Sequence, residues 1–198
     1  MLRKKFIVKG LAVFAGLFLL LLLPSIVQSQ DAPVPKTGQT LCYDTAGAVI
    51  DCEGTGQDGE YQAGVALPDP RFTDNGDGTV TDNLTHLILT KDANIPGEPK
   101  AWQDALAYCE DLSLGACGDN WRLPNKNELH RLLSYNTVQP ALPSGHPFTN
   151  VHSDYYWSST SIIDSADFAW ALDLGFGHVR FHTPKTDLFY VWCVCGGQ

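Results

Sequence analysis

Two histidines, an arginine and a lysine near the end of the chain are the side chains best suited to binding a charged ligand. They are His178, Arg180, His182 and Lys185. Alternate residues of a strand share a face, so the first three would form one row, with Val179 and Phe181 on the other face. A guanidinium and two imidazoles suit sulfate or carboxylate groups, more strongly at mildly acid pH. The alternative is an ordinary solvated strand face, which needs no ligand.

Six cysteines form the second group that could carry chemistry: Cys42, Cys52, Cys109, Cys117, Cys193 and Cys195. An even number favours disulfides over a metal site in an exported chain, and the N-terminus predicts export. Cys42 and Cys52 can close a local loop. For the other four, two links from a predicted helix to the last predicted strand are the most economical arrangement: Cys109 to Cys193 and Cys117 to Cys195. The rival interpretation is a redox or metal-binding pair at the last two cysteines.

Other polar clusters have simpler explanations than a site. The oxygens of one cluster are of the type that calcium prefers: Asp74, Asn75, Asp77 and Asp82. Their spacing does not fit an EF-hand, and turn chemistry explains the same residues. His146 and His152 lack further zinc ligands, and Ser158 and Ser159 lack an assignable base. The sequence therefore predicts no metal, no cofactor and no catalytic residue.

Residues 118–133 are the segment around which the other elements are arranged, because an extended arm turns there directly into a helix. The arm alternates apolar and basic side chains: Trp121, Arg122 and Leu123. This alternation predicts two buried anchors around a guanidinium that must find a partner. Asn125 followed by Glu128 three residues later predicts a helix N-cap with a capping box.

The remaining elements follow from apolar periodicity and turn residues. Residues 101–112 carry apolar side chains at helical spacing, which predicts an amphipathic helix. An Asn-Gly-Asp-Gly sequence predicts a hairpin turn within residues 71–82. Further strands are predicted at residues 86–90, 155–160, 168–173, 178–182 and 189–194. Residues 136–154 are polar and broken by proline, and long loops of this kind usually serve a function.

The first 29 of the 198 residues have the pattern of an export signal. Four basic residues precede an apolar run at 11–23, which is short for a membrane span, so a cleaved signal is favoured over an anchor. The chain then divides into a signal peptide (1–29), a linker with a disulfide-pinned N-terminal extension (30–70), and a folded domain (71–198). We expect a secreted or periplasmic protein that is not inserted in a membrane after signal cleavage.

The charge of the chain argues against some partners. The chain has 13 basic and 22 acidic residues, and loss of the four basic residues of the signal leaves nine against 22, a formal charge of −13. Bulk electrostatics therefore oppose binding to nucleic acid and to anionic membranes. An anionic partner would need a local basic patch.

These landmarks, in this order, resemble the Legionella-collagen-like (Lcl) C-terminal domain family of secreted bacterial proteins. The resemblance covers about residues 71–197. It rests on the 71–82 hairpin and the Asn-Leu-Thr after it, the 101–112 helix with its cysteine, Asn-Trp-Arg-Leu-Pro-Asn at 120–125 with the Glu-Leu at 128–129, Tyr-Trp-Ser-Ser-Thr at 156–160, Ala169-Trp170, and Cys193-Val194 followed by Gly196-Gly197.

The resemblance implies an α+β, C-type-lectin-like domain with two helices packed on a small curled antiparallel sheet. It also implies a disulfide from a helix to the last strand, here Cys109 to Cys193. The chain departs from its relatives at residues 86–89, and where they often end Arg-Cys-Val-Arg-Gly-Gly it has Trp192-Cys193-Val194-Cys195 before the two glycines. The loss of both arginines weakens the transfer of the sulfated-glycan binding associated with the family's namesake.

The function expected from this resemblance is non-catalytic recognition or adhesion at the cell envelope, with an extracellular glycan or a surface protein as partner. The sequence is compatible with an oligomer. One alternative is a cysteine-dependent enzyme, because formylglycine-generating enzymes adopt a related fold and use cysteine chemistry. The other is a purely structural envelope protein.

Overall fold

The computed structural model describes residues 34–196, except for the side chain of His182, and these residues form a mixed α+β fold. Its helices are short: α1 (Asp58–Tyr61), α2 (Trp102–Glu110) and α3 (Lys126–His130), with one 3₁₀ turn (Gly115–Cys117). The predicted signal peptide, residues 1–29, lies outside the described residues, as do the first residues of the linker. No helix in the described part of the chain has the length and hydropathy needed to cross a bilayer.

The strands pair antiparallel in three separate sheets. A small hairpin joins β1 (Cys42–Tyr43) to β2 (Val49–Ile50). The four-stranded sheet has the order β3 (Phe72–Asp74), β4 (Thr79–Asp82), β5 (Leu87–Thr90) and β9 (Val194–Gly196). The three-stranded sheet consists of β6 (Tyr155–Ile162), β7 (Ser165–Asp173) and β8 (His178–Pro184). The described strands thus form more than the one small sheet that the resemblance implied.

The last strand differs from its predicted position. The sequence predicted a strand at residues 189–194, but β9 begins only at Val194 and pairs with β5. Before it, Phe189 and Tyr190 make only isolated bridges to other segments. The apolar run that suggested a strand instead marks complete burial, because Val191 and Trp192 are wholly enclosed by the core.

Two hydrophobic clusters cover the two faces of the three-stranded sheet. Tyr156, Leu172 and the partly buried Val179 pack in the first cluster, which also contains the leucines of α3 and its following turn. Trp157 and Ala171 pack in the second cluster, together with the apolar side of α2. Alternate residues of the strands therefore enter different clusters, as the pleat of a sheet requires.

Three disulfides connect the six cysteines in the predicted arrangement: Cys42–Cys52, Cys109–Cys193 and Cys117–Cys195. The first closes the β1–β2 hairpin of the N-terminal extension. The other two join α2 and the turn after it to the end of the chain. The prediction of two links between this helix and the C-terminal segment is confirmed.

The arm before α3 is packed as its alternation predicts. Trp121 and Leu123 are buried, and between them the backbone of Arg122 exchanges two hydrogen bonds of 2.9 Å with Val194. The guanidinium of Arg122 donates to both carboxylate oxygens of Glu128, at 2.7 and 2.6 Å. The guanidinium that had to find a partner therefore pairs with the same glutamate that closes the capping box.

The start of α3 has the predicted capping box. The side chain of Asn125 accepts hydrogen bonds from the backbone of Asn127 and Glu128, and Glu128 accepts one from the backbone of Asn125. Because an N-cap side chain satisfies amide groups that have no partner within the helix, Asn125→Ala is expected to lower the free energy of unfolding by about 1 kcal/mol. Urea unfolding monitored by circular dichroism measures this loss.

Asn127→Ala is the matched control for this variant, because it makes the same change at an exposed helical position. It should leave stability unchanged or raise it slightly, since alanine has the higher helix propensity. Equal losses in the two variants would contradict a capping role for Asn125.

Candidate functional site

The pairing of β8 differs from the regular alternation that the sequence predicted. Arg180 pairs with Ala171 of β7, but the next pair joins Ala169 to Thr183, so β8 contains one extra residue. A β-bulge of this kind moves the residues beyond it to the other face. Thr183 therefore takes the position on Arg180's face that alternation predicted for residue 182. The side chain of His182 is outside what the structure describes.

The bulge also corrects the prediction for the opposite face. Val179 packs against the first hydrophobic cluster, whereas Phe181, predicted on the same face, is 60% exposed. His178 is exposed before the bulge, with its ring centre 6.1 Å from that of Phe176. The predicted row of His178, Arg180 and His182 is therefore not a regular strand face.

Arg180 and Lys185 each hold their positive charge over an aromatic ring. The guanidinium carbon of Arg180 lies 4.7 Å from the centre of the Tyr155 ring, and the ammonium group of Lys185 lies 3.9 Å from the centre of the Trp102 ring. The Lys185 ammonium group also donates hydrogen bonds of 2.8 Å to a hydroxyl group on β6 and a carbonyl group on β7. Both cations are thus held in place by the sheet beneath them.

Both rings pack against the second hydrophobic cluster, and with the neighbouring groups they form what we call the aromatic ridge. It consists of the rings of Trp102, Tyr155 and Phe189 with the cations of Lys100, Arg180 and Lys185. The Phe189 ring centre lies 5.1 Å from that of Tyr155 and 4.6 Å from that of the buried Trp157. The backbones of Phe189 and Lys100 exchange two hydrogen bonds, of 2.8 and 3.1 Å, and Trp102 begins α2 two residues later. All three rings are half-buried.

Lys100 differs from the other two cations of the ridge. Its ammonium group lies 3.1 Å from a carboxylate oxygen of Glu98 and 5.8 Å from the centre of the Tyr108 ring. The carboxylate neutralises part of its charge. Arg180 and Lys185 therefore supply most of the positive charge of the aromatic ridge.

The distribution of the cations singles out two regions. Of the 13 lysines and arginines of the chain, four lie before residue 34 and nine within the described residues. Four of these nine are in ion pairs: Arg71, Lys91, Lys100 and Arg122. The other five are Lys36, Lys126, Arg131, Arg180 and Lys185. Two of them lie on the aromatic ridge, and Lys126 and Arg131 lie at the two ends of α3.

Comparison with known proteins identifies the domain that carries the ridge. A family model described as the Lcl C-terminal domain matches residues 78–195, more than half of the chain. The chain belongs to the Lcl C-terminal domain family. No curated protein matches it at a significant level. The Lcl match includes all the residues of the aromatic ridge, whereas the N-terminal extension lies before it.

The polar residues of the β3–β4 hairpin take part in turn hydrogen bonds. Asp74 pairs with Lys91 at 2.7 Å and accepts the backbone N–H of Gly76. Asp77 accepts hydrogen bonds from the hydroxyl group of Thr79 and from a backbone amide of the 3₁₀ turn. Within residues 34–196, no group of three or more His, Cys, Asp or Glu side chains is placed to hold a metal ion.

Three other candidate residues, Ser158, His152 and His146, make contacts within the fold. Ser158 is buried, and its hydroxyl group donates a 2.7 Å hydrogen bond to the carbonyl of Trp170. His152 stacks on Tyr190, with ring centres 4.0 Å apart. Burial lowers the pKa of His146, whose ring packs beside Phe148 and whose buried Nδ1 atom has no hydrogen-bond partner among the described residues. Each of the three side chains thus packs or bonds within the fold.

The sequence does not show which aromatic residues belong to the site. Of the five tryptophans, Trp121, Trp157 and Trp192 are buried in the core. Trp102 and Trp170 are only half-buried, and each has a lysine ammonium group over its ring. Both lysines are distant from their tryptophans in sequence, so no local pattern could have shown the pairing.

Proposed function

We propose that this Lcl domain is an exported, non-catalytic recognition or adhesion module that binds an anionic glycan along the aromatic ridge. The observation that carries the proposal is the set of three half-buried rings with Arg180 and Lys185 over two of them, both cations lying outside any ion pair of the described residues. Sugar rings pack their apolar faces on aromatic side chains, and sulfate or carboxylate groups pair with guanidinium and ammonium groups. The ridge offers both.

The fold and the composition support three further parts of the proposal: the architecture, the location and the class of partner. Two helices beside antiparallel sheets, with a disulfide from α2 to the C-terminal segment, support a C-type-lectin-like architecture. Three disulfides are typical of proteins in an oxidising compartment, which supports a secreted or periplasmic location. The strongly acidic composition argues against nucleic acid as the partner.

The absence of reduced cysteine supports a binding function over the enzymatic alternative. All six cysteines are paired in disulfides, so a thiolate nucleophile would first require reduction of a bridge. The two bridges beside the second cluster are buried with their neighbours, which places their sulfur atoms within the scaffold.

The proposal predicts a charge-dependent loss of binding in ridge variants. Arg180→Ala with Lys185→Ala is expected to weaken binding to dextran sulfate about a hundredfold, because hydrogen bonds to charged groups contribute roughly 1.5–3 kcal/mol and 1.4 kcal/mol is a factor of ten. Affinity should also fall as salt rises, since exposed charges are screened. Titration calorimetry with dextran sulfate and with neutral dextran measures both effects.

Lys91→Ala is the matched control, because it removes one positive charge at a half-exposed ion pair outside the ridge. It should leave binding within about twofold of the unmodified protein, as rim charges contribute little. A loss of binding free energy in the control about half that in the two-charge ridge variant would show attraction by overall charge alone. Unchanged binding in the ridge variant would exclude the ridge as the site.

A further inference from the structure

A concave surface lies between the N-terminal extension and the end of α3. We call it the α3 groove. Its volume is about 390 Å³, within the range of roughly 300–1,000 Å³ that is usual for small-ligand sites. The residues that matter for its chemistry are Val34, Pro35, Lys36, His130, Arg131 and Tyr135. None of them belongs to the aromatic ridge.

Backbone hydrogen bonds hold the two walls of the α3 groove together. The N–H of Lys36 donates to Val65 at 3.0 Å, and the N–H of Tyr135 donates to the carbonyl of Thr37, also at 3.0 Å. The hydroxyl group of Thr37 donates to the carboxylate of Asp58 at the start of α1. The extension is thus tied both to itself and to the turn after α3. A site with walls fixed in this way needs little ordering when a ligand binds.

Positive charge converges on this groove. Lys36 and Arg131 take part in no ion pair within residues 34–196. Burial lowers the pKa of His130, and the nearby charges of Lys126 and Arg131 lower it further. The imidazole therefore lies in a positive local field, in a chain whose overall charge is −9. The carboxylate of Asp58 beside the groove is engaged by Thr37.

The groove also has an apolar side. Val34 and Pro35 form part of one wall, and the ring of Tyr135, 45% exposed, lies at the other. The hydroxyl group of Tyr135 lies 2.8 Å from Nε2 of His130, which fixes the orientation of the ring. A ring face next to two unpaired cations suits a ligand that has an apolar face and one anionic group.

We infer that the α3 groove binds a single anionic sugar residue, with its carboxylate or sulfate group at Lys36 and Arg131 and its ring against Tyr135. The class of ligand in this inference rests on the proposed function. The position of the site rests on the groove alone. It makes the domain bivalent, with an extended glycan on the aromatic ridge and a terminal or branching sugar in a separate groove.

Nuclear magnetic resonance of the exported protein tests the inference with four small ligands: glucuronate, galactose 6-sulfate, galactose and inorganic sulfate. Both anionic sugars are expected to shift the ring signals of His130 and Tyr135. Galactose should shift neither, and sulfate alone should bind at least about tenfold more weakly than the sulfated sugar, because it gains no ring contact. The two anionic sugars distinguish a carboxylate from a sulfate ligand.

Lys36→Gln with Arg131→Gln should weaken binding of the anionic sugars about tenfold or more, since charge-assisted hydrogen bonds are the strong ones. Lys91→Gln is the control and should bind as the unmodified protein does. A melting curve verifies that each variant is folded, and Lys36→Gln alone provides a milder second variant with the same expected direction.

The outcomes separate this inference from the proposed function. The absence of shifts at His130 and Tyr135, equal shifts with galactose, or full binding by the groove variant would each overturn the inference, even if dextran sulfate binds the ridge. Loss of dextran sulfate binding in the ridge variant, with sugar binding in the groove unchanged, would support both. Groove binding without any ridge binding would support the inference and reject the ridge.

Discussion

Replacing all four cysteines that join α2 and the turn after it to the end of the chain is expected to lower the free energy of unfolding by about 7 kcal/mol, whereas removing either bridge alone should cost about 3 kcal/mol. The bridges Cys109–Cys193 and Cys117–Cys195 span 84 and 78 residues. Whichever bridge remains already closes the long loop. The second bridge then closes only the short ring between the two, so its own entropic contribution is smaller.

Urea unfolding of three variants measures this dependence: Cys109→Ala with Cys193→Ala, Cys117→Ala with Cys195→Ala, and all four changes together. The combined loss should exceed the sum of the two single-pair losses by about 1 kcal/mol, and it should leave the protein near the limit of stability, since small domains have about 5–15 kcal/mol in total. If the two pairs contributed independently, the combined loss would equal the sum of the single-pair losses. That result would contradict the shared loop.

The elements that could be predicted from the sequence are those set by neighbouring residues. The capping box at Asn125 and Glu128 needs only two side chains three residues apart, and the hairpin turn needs glycines that adopt positive φ, here Gly76 and Gly78. The disulfides could be predicted because an amphipathic helix has one buried face, and Cys109 lies on it. In each case the types and spacing of nearby residues were sufficient for the prediction.

The elements that could not be predicted depend on contacts between distant segments. The run 189–194 is apolar because the core surrounds it: the indole N–H of Trp192 donates to the carbonyl of Thr90, 102 residues away. Likewise, the bulge in β8 is set by pairing with β7, which leaves no mark on the sequence of either strand alone. An unbroken apolar run indicates a segment that is buried on all sides. Such a run does not distinguish a strand from an irregular segment.

The candidate sites illustrate the same limit. Arg180 and Lys185 were recognised from their types, but the rings beneath them come from β6 and α2, so the ridge exists only in the folded chain. The α3 groove depends on the N-terminal extension, for which the sequence indicated no role. Within the loop 136–154, Leu142 and Phe148 are core residues, so part of this loop is a structural element without a helix or strand.

Asp82→Asn is expected to lower the free energy of unfolding by about 3–5 kcal/mol, because it leaves a buried guanidinium without a counter-charge. The carboxylate of Asp82 is fully buried and accepts hydrogen bonds of 2.6 and 2.8 Å from Arg71, whose side chain is 5% exposed. It also accepts a hydrogen bond from the hydroxyl group of Thr85, at 2.6 Å. From the sequence alone, turn chemistry explains Asp82, whereas in the fold it is the partner of a buried cation.

The stability contributed by Asp82 should depend on pH. Burial by itself would raise the pKa of Asp82, but hydrogen bonds from Arg71 and Thr85 and the charge of Arg71 hold the pKa below its ordinary value. A carboxylate with a depressed pKa contributes stability above its unfolded pKa of about 3.9, and this stability is lost as pH falls through the folded value. The difference between the unmodified protein and Asp82→Asn should therefore decrease below about pH 4.

Asp74→Asn is the control for a surface ion pair. Asp74 pairs with Lys91 at 2.7 Å, but both side chains are about a third exposed, so the expected loss is at most about 1 kcal/mol. Chemical unfolding at pH 7 compares the two variants directly. A loss in Asp82→Asn no larger than that in Asp74→Asn would show that the buried pair contributes no more than a surface pair.

A double-mutant cycle isolates the charge pair from the other contacts of Asp82. Arg71→Met removes the buried guanidinium, so Asp82→Asn on that background no longer leaves an unpaired charge, and the double variant should be more stable than Asp82→Asn alone. The backbone carbonyl of Arg131 loses its hydrogen bond from Arg71 in both Met variants, so this loss cancels in the coupling energy. Additive losses would mean that the hydrogen bonds from Thr85 and the backbone, and not the ion pair, account for the cost of losing the carboxylate.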